Sequence, residues 1–123
     1  MTKKWTGLCL LAALLIGCAT TVTNITSTSQ PRNDNNQYLI EFQWDTSEQA
    51  VIPDSIQPYV VTGFDTYEMR PVLRMTNRWE TYVPVPANKN LVIYSFKVDY
   101  ETRAFVKPVK RSKTSQEYKL YIK

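Results

Sequence analysis

The sequence predicts an all-β fold, an antiparallel sandwich of about six to seven short strands. Three observations point there. Leu91 to Tyr100 follows a two-residue period, with Val92, Tyr94, Phe96, Val98 and Tyr100 on one face and Ile93, Ser95, Lys97 and Asp99 on the other. Tyr38, Ile40, Phe42 and Trp44 alternate in the same way with Leu39, Glu41 and Gln43. Beyond residue 18 no segment sustains a helical period, and turns containing Pro and Asn separate the apolar runs. That pattern suits packed antiparallel sheets and not strands alternating with helices.

Taken in order, the elements are these. Tyr38 to Trp44 is a strand with one buried face. Asp45 to Gln57 contains Pro53 and several polar residues, so it is a long connection with room for one helical turn. Tyr59 to Phe64 is the next strand, opened by Pro58 and closed by Asp65. Met69 to Met75 is weaker, because Pro71 lacks a ladder donor and fits best at a sheet edge. Trp79 to Val85 places Trp79, Thr81, Val83 and Val85 on one side, with Pro84 and Pro86 limiting its pairing. Ala87-Asn88-Lys89-Asn90 is a turn. Leu91 to Tyr100 is the central strand, and Tyr118 to Ile122 closes the domain with Tyr118, Leu120 and Ile122 inward. Trp44 and Trp79 are expected in the core.

The N-terminal region has another character. Lys3 and Lys4 precede a short apolar run, Thr6 to Ile16, which ends in Leu15-Ile16-Gly17-Cys18. The run is too short for the ~20 apolar residues of a spanning helix, and polar Thr20, Thr21 and Asn24 follow it. A basic start, an apolar stretch and this box together resemble a bacterial lipoprotein precursor. The resemblance implies a signal peptide over 1–17, cleavage between Gly17 and Cys18, and a lipid anchor on the Cys18 sulfur. In a cell with an outer membrane, Ala19 in place of the Asp that retains such proteins at the inner membrane implies the periplasmic face of the outer one.

Cys9 lies within the expected signal, so the chain from Cys18 onward has one thiol and no internal disulfide. A small exported domain without disulfides depends on its core alone. Residues 18–37, rich in Thr, Ser, Asn and Gln, have few large apolar side chains and are expected to form a flexible tether. The domain proper is expected over 38–123. Asn24-Ile25-Thr26 matches a glycosylation acceptor, which in a bacterial chain is a chance match.

A second resemblance concerns the domain. Tyr59-Val60-Val61-Thr62-Gly63-Phe64, Arg78-Trp79-Glu80 with Val83-Pro84-Val85-Pro86, and Tyr94-Ser95-Phe96-Lys97-Val98-Asp99-Tyr100 are similar in order and spacing to early-set immunoglobulin-like domains of the glycogen-binding type. This implies an immunoglobulin-like sandwich and, as an alternative function, a carbohydrate-binding module using Tyr67, Tyr82 and Tyr100. The family's binding Trp has Tyr67 as the nearby aromatic, and Tyr100 stands where the family has Gly.

Catalysis is constrained by what is missing. The chain has no His, and Cys18 is expected to be lipidated, so Ser-His-Asp and Cys-His nucleophile arrangements cannot be built. Zinc and most transition metals lack their preferred ligands for the same reason. Asp65 with Glu68, and Asp99 with Glu101, read as solvated charges. No phosphate-cradling or dinucleotide-binding glycine motif is present. No enzyme activity, metal or cofactor is expected.

Charge is unevenly spread. Residues 102–123 hold seven basic side chains against Glu117 alone, a net of +6, whereas residues 18–101 hold six basic and ten acidic, a net of −4. Lys107, Lys110, Arg111 and Lys113, read as a protruding loop, are candidates for contact with an anionic surface. An address outside the cytoplasm argues against nucleic acid. The expectation is a lipid-anchored, noncatalytic interaction or structural module at the bacterial envelope, with the membrane and an envelope protein as partners.

Overall fold

The computed structural model describes residues 20–123. The expected signal peptide, Gly17 and Cys18 lie outside the described residues. Ten strands follow: β1 (Thr20–Asn24), β2 (Ser29–Gln30), β3 (Gln37–Thr46), β4 (Gln57–Thr62), β5 (Asp65–Glu68), β6 (Arg70–Pro71), β7 (Arg78–Pro84), β8 (Leu91–Thr102), β9 (Val109–Thr114) and β10 (Tyr118–Ile122). One 3₁₀ turn, Pro53–Ser55, lies in the long connection before β4, where a helical turn was expected.

The strands form two sheets. One has the order β1-β3-β7-β6; the other runs β2-β10-β8-β4-β5, with β9 also on β8. Pairing is antiparallel throughout except for β2, which lies parallel to β10. In immunoglobulin lettering these are sheets A-B-E-D and G-F-C, with β5 added beside C. The fold is therefore an antiparallel, immunoglobulin-like β-sandwich, identified by its own topology.

The alternation expected along β3 and β8 builds the core between the sheets. Tyr38, Ile40, Phe42 and Trp44 of β3 are buried, as are Tyr94, Phe96 and Val98 of β8. Val60, Met69, Val83, Val85, Leu120 and Ile122 complete the layer. Phe42 stacks on Phe96 with ring centroids 5.1 Å apart and planes 22° from parallel. These rings join the two strands that antibody domains link by a disulfide. Trp44 is buried and its ring lies 5.2 Å from that of Tyr100, while Trp79 is half-buried against the same cluster. The strand expected over Met69 to Met75 shrinks to the two residues of edge strand β6, where the missing N–H of Pro71 is harmless, and the chain turns after it.

Three expectations need correction. The segment read as a tether folds: β1 pairs with β3 from Thr20↔Thr46 to Asn24↔Phe42, and β2 pairs with β10. Few apolar residues are needed because these strands add to existing edges, with Val22 alone packing onto the core from β1. Where the chain crosses between sheets, side chains replace the ladder. The Thr26 hydroxyl donates to the Glu41 carbonyl and accepts from the Glu41 N–H, both at 2.9 Å, and Asn24 Nδ2 donates to the Tyr94 hydroxyl. The acceptor-like Asn24 and Thr26 are thus structural.

The strand expected over Tyr59 to Phe64 ends at Thr62, and the chain reverses at Gly63-Phe64 into β5. Gly63 has φ +57° at the first turn position, a conformation that side chains resist. The third correction is β9. Lys107 to Lys113 is not a loop throughout: six residues from Val109 form a strand along β8.

Candidate functional site

The site begins with the length of β8. Its first half pairs with β10, from Leu91↔Tyr121 to Tyr94↔Tyr118, and the second half pairs with β9, from Lys97↔Thr114 to Thr102↔Val109. Between β9 and β10 the Ser115 N–H donates to the Phe96 carbonyl, and the Phe96 N–H donates to Ser115 Oγ, both at 2.8 Å. Ser115 thereby bridges the break with one backbone and one side-chain bond. The result is a hairpin arm, β8–β9, with its tip at 103–108.

The period of two distributes the four candidate cations over different places. Lys110 lies opposite Glu101 on the outer face, where the Ser112 hydroxyl also donates to Asp99 Oδ1 at 3.0 Å. Arg111 and Lys113 take the other face: Arg111 Nε donates to Thr102 Oγ1, and Lys113 Nζ to the Thr20 carbonyl at 3.1 Å. Lys107 lies in the loop. They form no single patch: Arg111 and Lys113 make one face of the arm cationic, while on the outer face Lys97 and Lys110 are balanced by Asp99 and Glu101. Among the described residues the one ion pair is Lys97–Asp99, 3.7 Å apart and half-exposed, so none of the four has a paired carboxylate.

The tip is apolar. Phe105 is fully exposed and Val106 is 91% exposed, between Arg103 and Lys107. Sequence reasoning missed these two because it weighed the charges alone; an apolar pair outside any two-residue period and bracketed by cations was the available signal. The tip has a firm base. Arg103 N–H donates to the Ala50 carbonyl at 2.6 Å and its guanidinium to the Gln49 carbonyl at 2.8 Å.

This arm stands at the pole where the described chain begins. Thr20 pairs with Thr46 at the end of β3, and the chain leaving Thr46 is the loop on which Arg103 rests. At the opposite pole lies a cleft of about 680 Å³, lined among others by Asn36, Tyr67, Pro84, Val85 and Ile93. A second depression, about 610 Å³, follows the outer face of the arm past Asp99, Glu101 and Lys110. No group of three or more Cys, His, Asp or Glu side chains that could hold a metal occurs among the described residues.

The three candidate tyrosines are not brought together. Tyr82 is exposed on β7, opposite Leu39. Tyr67, opposite Val60, packs against the core from the edge of the other sheet. Tyr100 packs against the core too, beside Trp44 and four residues along β8 from Phe96. Four strand residues span about 13 Å, so Tyr67 and Tyr100 stand well apart, and both turn toward the core.

No protein-family model and no curated protein matches the chain. Among solved structures, murine CRIg is similar over 85% of this chain and 98% of its own, with 11% identity and a TM-score of 0.48. A DUF4785 family protein from Legionella pneumophila is similar over 82% of this chain and 28% of its own, with 11% identity and a TM-score of 0.45. Neither likeness bears on function.

Proposed function

We propose that this chain is a bacterial lipoprotein whose immunoglobulin-like domain, anchored through Cys18, serves as a noncatalytic interaction or structural module at the cell envelope. The observation behind it is Leu15-Ile16-Gly17-Cys18, at the end of an apolar run too short to span a bilayer and led by Lys3 and Lys4. The absence of His from the sequence, with Cys18 reserved for the lipid, supports a noncatalytic role. In a cell with an outer membrane, Ala19 favours its periplasmic face.

The test is metabolic labelling of the full chain with an alkyne fatty acid. The native chain is expected to incorporate label and to migrate at the size of the cleaved form. Cys18→Ser is expected to abolish incorporation and leave the precursor uncleaved. A Cys18→Ser chain that is still acylated would overturn the reading.

A further inference from the structure

We infer that the tip of the β8–β9 arm, Arg103 to Lys107, is a second membrane contact: Phe105 and Val106 enter the interfacial layer of the bilayer that holds Cys18, and the cleft pole faces away from it. This rests on the lipid-anchor reading above.

A flexible tether over 18–37 would let the domain wander about 25 Å from the lipid, at about 5–6 Å times the square root of the residue count. β1, however, starts at Thr20 and is paired from its first residue. Two residues of chain reach at most about 7 Å, so the pole carrying Thr20 lies against the headgroups.

Lys113 Nζ bonds to the Thr20 carbonyl, and β9 runs from there to Val109, four residues or about 13 Å further toward the tip. The arm thus extends past Thr20 in the direction of the chain's entry. Its end is apolar with a basic collar, and Thr102 to Gln116 contains no carboxylate. The adjoining 47–50 loop contributes one, Glu48. Fully exposed Phe105 and 91% exposed Val106 are costly in water and favoured among acyl chains, while Arg103 and Lys107 suit anionic headgroups. Bonds from Arg103 to Gln49 and Ala50 hold the base of the tip in place.

A fluorescence test uses the full lipidated protein in vesicles of phosphatidylethanolamine and phosphatidylglycerol. Apart from the acylated Cys18, the processed chain has no cysteine, so Phe105→Cys or Asn88→Cys each offers one labelling site for an environment-sensitive dye. Asn88 is exposed in the turn before β8, at the cleft pole. Lipid-borne quenchers are expected to reduce the signal at position 105 several-fold more than at 88, with a blue shift at 105 alone. Equal, weak quenching at both positions in protein that carries its fatty-acid label would overturn the inference while leaving the anchor intact. Protein without that label would overturn the anchor reading itself. A position-105 dye shielded in cell envelopes but unquenched in vesicles would also overturn the bilayer contact, in favour of a protein partner.

Discussion

β9 and β10 lie along one edge of β8, three residues apart in sequence, and different forces hold them. In Tyr118-Lys119-Leu120-Tyr121-Ile122, Leu120 and Ile122 are buried in the core and Tyr118 packs beside Tyr94 and Phe96. In Val109-Lys110-Arg111-Ser112-Lys113-Thr114, no side chain is buried. β10 is anchored by apolar area removed from water; β9 rests on its ladder and a few side-chain bonds to Thr102, Asp99 and Thr20. The comparison separates two roles of a sheet. Burial supplies stability, whereas a ladder without burial supplies an arm of defined shape whose side chains remain free to meet something else. Such an arm should also open locally before the core does.

Substitutions can test that division. Leu120→Ala is expected to destabilise the domain by about 2–5 kcal/mol, measured by urea unfolding, because it empties a fully buried site. A cost under about 1 kcal/mol would place β10 in the same class as β9. Ser115→Ala, at the break between the two strands, removes the acceptor of the Phe96 N–H. Its expected cost is about 1–2 kcal/mol, with faster amide exchange at Phe96. Arg111→Ala on β9 is expected to change stability by less than about 0.5 kcal/mol, since an exposed side chain with one long hydrogen bond contributes little. A loss comparable to that at Leu120 would mean that the arm is part of the cooperative core.

The same contrast explains what was legible from the amino acids. β3, β8 and β10 announce themselves because one face of each is buried, and burial imposes alternation that a sequence can display. β9 has no apolar alternation to display; its extended state comes from the unpaired second half of β8. β1 and β2 were hidden for a related reason, as Thr- and Asn-rich segments that complete edges made by others. The β4–β5 hairpin was missed because Phe64 resembles the end of an apolar run, although it occupies a turn opened by Gly63. At the candidate site the cationic residues stood out by charge. Their division between two faces did not, because it follows from a register set on β8. Nothing in the sequence placed Thr20 beside Lys113, a contact between residues 93 positions apart.

Because Phe42 and Phe96, and not two thiols, close β3 onto β8, this sandwich reaches its native state without an oxidant. Its maturation is then independent of disulfide-forming enzymes and of the ambient redox potential. No cysteine within residues 20–123 can compete for, or become trapped with, the thiol of Cys18. A reductant strong enough to unfold a disulfide-closed immunoglobulin domain would leave this one folded.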